Sequence, residues 1–269
     1  LDRMRQCIAP DGELHTPYGA TEALPVASIS ASEVLGGPGA QLLMESEYDS
    51  QPSSFIGTAN RTRQGAGVCV GSRFSAIRWK VIRIVDGPIA SLSDVQELSR
   101  GEIGELIVTG PQVTREYVTR VETNALAKIP DGRSFWHRMG DTGYLDEEDR
   151  FWFCGRVAHR VLTEQGPMYP VCCEAIFNQH PDVARSALVG IGPSGKQRPA
   201  IVVELHPGQA PSNAEEEAVL LGELRDRAIS NTLTEAITDF LIHPKFPVDI
   251  RHNAKIFRER LAEWAASKL

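Results

Sequence analysis

Four short segments of this 269-residue chain combine residue types that can do chemistry. In His15-Thr-Pro-Tyr-Gly-Ala-Thr-Glu22 a rigid Pro-Tyr-Gly turn runs straight into a hydroxyl and a carboxylate. One such loop can present an aromatic face, a hydrogen-bond donor for a phosphate oxygen and a hard oxygen ligand, which together suit a nucleotide with its Mg2+. In Trp136-His-Arg-Met-Gly-Asp-Thr-Gly-Tyr144, Asp141 stands between Gly140 and Gly143. Glycines there let the backbone approach a ligand closely, and a lone carboxylate can accept both hydroxyls of a ribose. Gly155-Arg156 supplies a cation, and His252-Asn-Ala-Lys-Ile256 places Lys255 in a loop before an apolar helix. Each segment also has an ordinary reading: a turn with solvated Thr and Glu, a β-turn with an exposed Asp, a surface arginine in a linker, a solvated lysine. Their order and spacing along the chain are what set them apart.

The elements that must position these residues fall into three stretches. Residues 1 to about 71 are loop-rich, with Gly-Gly-Pro-Gly at 36–39 and Gln-Pro-Ser-Ser at 51–54, and cannot bury themselves alone. From Ile77 to Val85 β-branched residues alternate, a turn follows at Asp86-Gly87-Pro88, and Glu105–Thr109 forms a second strand bounded by glycines. Gly143 to Phe153 reads as two short strands around an acidic turn, so this middle stretch is an antiparallel β-unit. Beyond Gly155 the pattern predicts a helix from Pro170 to His180, strands at Ser186–Ile191 and Ala200–Leu205, and a capping box at Ser212-Asn-Ala-Glu215. That box precedes a helix burying Val219, Leu220 and Leu224. Residues 231–241 continue or restart it, and Ile256, Leu261 and Trp264 line a last helix. This part is a compact α+β unit of about 110 residues.

Composition narrows the partners. Lys+Arg total 28 against Asp+Glu 35, a net charge of −7, which argues against a nucleic-acid partner held by phosphate neutralisation. Apolar residues at 42% and charged residues at 23% are typical of a soluble globular chain. No apolar run approaches the roughly 18 residues of a membrane span, so no transmembrane segment is expected. The five cysteines are odd in number and contain no C-x-x-C pair, so neither a disulfide framework nor a cysteine-based metal site is expected, Cys172-Cys173 with His180 included. Reduced thiols and a cytoplasmic location follow. The chain opens at Leu1 with neither an initiator Met nor a signal segment, and is expected to be a piece of something longer.

The ordered set resembles the adenylate-forming superfamily of acyl-CoA synthetases, peptide-synthetase adenylation domains and luciferases. The likeness runs through Tyr18-Gly-Ala-Thr-Glu22, Gly104-Glu-Leu-Ile-Val-Thr-Gly-Pro111, Gly140-Asp141 with Gly143-Tyr144, Gly155-Arg156 and Asn253-Ala-Lys-Ile256. The resemblance implies a mixed α/β and α+β fold: 1–75 as the remnant of a large subdomain, 76–155 as a distorted antiparallel β-subdomain, and 156–269 as a small mobile C-terminal domain. It implies ATP and Mg2+, with Tyr18 on the adenine, Gly19 among the nucleotide-binding residues, Thr21 at the α-phosphate and Glu22 on the metal. It places Asp141 on the ribose hydroxyls, Arg156 on ribose or phosphate, and Lys255 at the reacting carboxylate and bridging oxygen. Fixed positive charge suits this reaction, because negative charge builds on the phosphates as a carboxylate attacks, and Lys offers a compact charge on a flexible stem.

Within the superfamily, His15 to Val26 resembles the olefin β-lactone synthetases. That implies adenylation of a long-chain β-hydroxy fatty acid and closure by its own hydroxyl to a β-lactone, in olefin biosynthesis; the alternative is a long-chain fatty-acyl-CoA ligase. Three departures bear on the choice: Ala158 at the family's hinge position, Gln165-Gly166-Pro167 at the turn beside the pantetheine channel, and Cys172 where Glu is common. They disfavour an external thiol, whereas a tethered hydroxyl needs no channel and gains a large effective molarity. Met139 stands where the family often has Thr. The family's phosphate loop lies far upstream, yet only seventeen residues precede Tyr18. The expected partners are therefore the missing N-terminal half of the same protein and other enzymes of the pathway, and the fragment alone is expected to be inactive. A non-catalytic binding module is the reading from another class.

Overall fold

The computed structural model describes residues 1–9, 11–36, 57–249 and 252–269. Most of the Gly-Gly-Pro-Gly stretch and all of 51–54 lie outside the described residues. The chain forms two compact units, Leu1–Thr62 with Ala66–Val157, and Arg63–Gly65 with Ala158–Leu269. The division thus falls next to Ala158.

The first unit holds α1 (Asp2–Arg5), β1 (His15–Ala20), β2 (Ala23–Ser30), α2 (Ala31–Leu35), α3 (Thr58–Arg63), β3 (Val68–Arg73), β4 (Arg78–Ile82) and β5 (Gly104–Thr109). It continues with α4 (Asn124–Ala127), β6 (Lys128–Asp131), β7 (Ser134–Leu145) and β8 (Arg150–Arg156). Among the described residues its strands make one sheet in the order β1-β2-β3-β8-β7-β5-β4, with β6 also paired to β7. Residues 1–75 and 76–155 therefore share a single sheet. Strand β5 shows why this sheet is covered on both faces: Leu106 and Val108 join Trp79, Val81, Met139 and Phe151 in one core, while Ile107 joins Ile82, Ile129 and Trp136 in another. Met139 is a buried core residue.

The acidic turn between β7 and β8 is built by Asp146. Its carboxylate accepts from the backbone N–H groups of Glu148 and Arg150 and from the Trp152 indole at 2.8 Å. Asp149 takes the left-handed conformation, with φ 59°, that such a tight return needs.

The second unit holds β9 (Val161–Thr163), β10 (Gly166–Met168), α5 (Pro170–Phe177), β11 (Val183–Ile191), β12 (Arg198–Leu205), α6 (Ala214–Ile229), β13 (Asp239–Ile242), β14 (Val248–Asp249), β15 (His252–Ile256) and α7 (Arg258–Ala266). Alternation along β12 splits its side chains between two cores. Ile201 and Val203 meet Ile176, Phe177, Leu224 and Ala228 from α5 and α6, while Ala200 and Val202 meet Leu261 and Ala265 from α7. β13 pairs parallel to β12, with α6 as the crossover.

Four expectations are corrected here. The N-cap of α6 is Asn213, one residue later than Ser212; its side chain accepts from the Glu216 N–H at 2.9 Å. Val219 is exposed, so only Leu220 and Leu224 of the three expected residues face the core. Residues 231–241 do not extend the helix. Asn231 Oδ1 accepts from Leu233 N, and the Thr234 hydroxyl donates to the Ala228 carbonyl at the end of α6, side-chain bonds that replace the helical ladder. Lys255 lies on strand β15, not in a loop.

Candidate nucleotide site

Tyr18, Gly19, Thr21 and Glu22 sit on one hairpin. Pro17-Tyr18-Gly19 belongs to strand β1, contrary to the expected turn, and the turn is Thr21-Glu22 itself, closed by the pairing of Ala20 with Ala23. Gly19 marks a shift in register, and a Cβ added there would lie 2.5 Å from the Ala23 carbonyl oxygen. No other residue fits this close return of the strand. Thr21 is exposed at the tip and Glu22 is partly so.

Tyr18 is fixed from two sides. Its ring packs at 5.8 Å from Phe151 and 6.5 Å from Phe153, and its hydroxyl donates to Asp141 Oδ2 at 2.5 Å. Asp141 is only 4% exposed, in the middle of β7, rather than on the exposed β-turn that its sequence equally allowed. Directly across the ladder from it is Arg156, whose Nη1 donates to Asp141 Oδ1 at 2.7 Å. Gly140 adopts φ 65°, and a Cβ there would meet the Arg156 guanidinium at 3.3 Å, so the glycine clears the space in which that cation lies. Burial pushes the Asp141 carboxyl above its usual range, an effect that Arg156 and Tyr18 offset in part. Burial, followed by the charge of Asp141, pushes the Tyr18 phenol well above its ordinary value. The result is a donor–acceptor–cation row with an aromatic wall beside it, in which each of the two Asp141 oxygens has further lone pairs for an additional donor.

The sheet also assembles a second group that the motifs did not reveal. The Tyr117 hydroxyl donates to Glu22 Oε1 at 2.7 Å across 95 positions of sequence. Lys128 bonds the Thr114 carbonyl, and buried His137 contacts the Ala127 carbonyl through Nδ1 at 3.1 Å. Partial burial raises the Glu22 carboxyl, but the Tyr117 hydrogen bond and the nearby His137 and Lys128 outweigh it and hold the group below its usual value. Desolvation, reinforced by Lys128, pushes His137 down to about 4, so the imidazole is neutral at pH 7. Tyr117 is driven up to about 12 by burial and by the bond to Glu22. The nearest signal in the sequence was the Gly104–Pro111 segment, which ends just before Tyr117.

Glu22 suits Mg2+: it is a part-exposed, ionised oxygen donor, and among the described residues no three of His, Cys, Asp and Glu gather to cage a metal. Mg2+ bound mainly by phosphate oxygens and water needs no more than one or two carboxylates.

Lys255 belongs to the second unit. It is exposed on β15, which pairs with β14 through Val248–Ile256 and Asp249–His252. Arg258, at the start of α7, donates through Nη2 to Glu174 Oε2 at 2.9 Å and through Nη1 to the other carboxylate oxygen. Glu174 Oε1 also accepts from Leu188 N at 2.8 Å. The start of α7, three residues after Lys255, is thereby tied to α5 and β11. Cys172 and Cys173 are buried in α5, and the Cys173 thiol donates to the Leu233 carbonyl.

No protein-family model matches the chain. It is 42% identical over 99% of its length to an olefin beta-lactone synthetase of Stenotrophomonas maltophilia, and 43% identical over 99% to one of Xanthomonas campestris. These relatives and the order of the motifs both liken the chain to the adenylate-forming superfamily. The chain spans 44% of the length of each of these two relatives. The o-succinylbenzoate CoA synthetase of Bacillus subtilis in complex with AMP shares the fold, with a TM-score of 0.63 at 23% identity over 93% of this chain and 40% of that one. So does the amide bond synthetase McbA of Marinactinospora thermotolerans, with a TM-score of 0.64 at 20% identity over 93% of this chain and 42% of that one. No helix among the described residues is long and apolar enough to cross a membrane.

Proposed function

We propose that the protein carrying this chain uses ATP and Mg2+ to adenylate a long-chain β-hydroxy carboxylic acid and then closes the acyl-adenylate to a β-lactone, in olefin biosynthesis. The observation that carries the nucleotide part is the row Tyr18–Asp141–Arg156, with the Thr21-Glu22 turn on the same hairpin as Tyr18. In this reading the Tyr18 ring packs on adenine, Asp141 accepts from the ribose hydroxyls, Arg156 contacts ribose or phosphate, and Thr21 bonds the α-phosphate. Mg2+, held in part by Glu22, supplies neutralisation of phosphate charge.

The acid's carboxylate oxygen attacks the α-phosphorus and the bond to pyrophosphate breaks. Lys255 stabilises the charge that grows on the bridging oxygen. The β-hydroxyl oxygen then attacks the activated carbonyl carbon, its proton passes to solvent and AMP leaves. Ala158 and Gln165-Gly166-Pro167, together with relatives named for β-lactone synthesis, favour this tethered nucleophile over coenzyme A.

The test is a product assay on the full-length protein with a long β-hydroxy acid, ATP and Mg2+. The expected products are AMP, pyrophosphate and a β-lactone with no thiol present. AMP release only on adding coenzyme A, with a thioester product, would establish the acyl-CoA ligase instead. No AMP under either condition would leave a binding module.

A further inference from the structure

Glu22 stands at the tip of a two-residue turn, where a free glutamate side chain samples many rotamers. Ordering it on a cation costs conformational entropy unless something has ordered it first. The structure holds a device suited to that task. Segment 113–117 is pinned to the hairpin twice through backbone, by the bridge between Val113 and Ala23 and by the bond from Thr114 N to the Glu22 carbonyl at 2.8 Å. The third link is the Tyr117 hydroxyl on Glu22 Oε1. Tyr117 is itself clamped at both ends of its backbone: Asn124 Oδ1 accepts from its N–H at 2.7 Å, and Asn124 Nδ2 donates to its carbonyl at 3.2 Å. The Lys128 ammonium, 5.8 Å from the Tyr117 ring centroid, covers that ring.

We infer that Tyr117 is a positioning residue for the metal-binding carboxylate: its hydroxyl fixes the Glu22 rotamer and occupies one oxygen, turning the other toward the cation, with Asn124 holding Tyr117 in place. This rests on the proposed role of Glu22 at Mg2+. A group behind a metal ligand typically changes metal affinity 10–100-fold when removed, and a single hydroxyl belongs at the lower end, about tenfold.

The experiment is a titration of the full-length protein with Mn2+, followed by electron paramagnetic resonance, with a non-hydrolysable ATP analogue bound. Tyr117→Phe should weaken Mn2+ binding about tenfold while leaving affinity for the metal-free analogue unchanged. Asn124→Ala should act in the same direction and more weakly. In turnover, the Mg2+ concentration for half-maximal rate should rise by the same factor, with kcat restored at saturating Mg2+. Glu22→Gln separates the two possible failures. If Glu22→Gln weakens Mn2+ binding and Tyr117→Phe does not, the positioning role is wrong and the ligand role stands. If Glu22→Gln leaves it unchanged, the ligand role is wrong and the inference falls with it. Equal losses of metal-bound and metal-free analogue in Tyr117→Phe would show a general structural role and overturn the inference. Should Tyr117→Phe misfold, unchanged Mn2+ affinity in Asn124→Ala overturns it.

Discussion

In the sheet unit, Asp141 is 4% exposed and bonded to both Tyr18 and Arg156, Glu22 is held by Tyr117, and His137 is buried and neutral. In the second unit, Lys255 stands exposed on a five-residue strand of a small hairpin, and the ordered charges, Glu174 and Arg258, belong to α5 and α7. The difference matches the roles proposed for the two sets. A group that binds a ligand in a fixed pose must lose its freedom before the ligand arrives, which calls for burial and hydrogen bonds. A cation that acts on a developing charge keeps its hydration and its long stem until it is needed. Substitutions in the sheet unit should therefore be felt in stability and its pH dependence, and substitution of Lys255 in rate alone.

The largest effect is expected at Glu105. Its carboxylate receives Nε and Nη2 of Arg138, and the two side chains are 3% and 8% exposed. Arg138 also bonds the carbonyls of Val85 and Gly87, joining the β4–β5 connection to β7. Glu105→Ala strands a buried guanidinium, and should cost about 3–5 kcal/mol in chemical denaturation of the chain. A loss below about 1 kcal/mol, the scale of an exposed pair, would show that the interior of the sheet unit is not locked as described.

The next effect is a pH dependence. An unfolded histidine takes its proton near pH 6.5, whereas His137 in the fold resists until about 4. Between those values the unfolded chain binds more protons, so stability falls as pH falls, by up to about 3 kcal/mol across the window. His137→Gln should flatten that acid limb, read as denaturation midpoints at several pH values. An unchanged limb would place its origin in other groups.

Much of this fold was legible because local pattern and final burial agree. Ile77, Trp79 and Val81 alternate into one core, and the glycines and apolar run around Glu105–Thr109 mark β5. Legibility failed where side chains compete with the backbone: Thr234 bonds the Ala228 carbonyl near the end of α6, Asn231 holds the turn that follows through Leu233 N, and the apolar Ile237 and Phe240 beyond serve a loop and a short strand. The motifs located Tyr18, Glu22, Asp141 and Arg156, but not the bonds among them. Tyr18 and Asp141 are 123 residues apart, and their meeting depends on a sheet order that no local spacing encodes. Tyr117 and His137 were missed for the same reason, being ordinary residues until the sheet sets them near Glu22.

Lys255→Ala puts the contrast itself at stake. An exposed side chain remote from caps and cores changes stability by no more than about 0.5 kcal/mol when truncated, so the denaturation curve of the chain should be that of the parent. Because the ammonium is proposed to act on charge present only as the bond to pyrophosphate breaks, its loss should lower the adenylation rate of the full-length protein about 100-fold, while ATP affinity stays nearly constant. Pyrophosphate exchange gives the first quantity and equilibrium binding the second, and equal losses in both would mark Lys255 as a ground-state binding residue. The Glu174–Arg258 pair supplies the control: Glu174→Ala should destabilise the second unit, because it unpairs an arginine whose side chain is only 15% exposed. If Lys255→Ala instead destabilised the chain as Glu174→Ala does, the exposed strand would be part of the structural frame, and the separation between groups that hold and a group that acts would collapse.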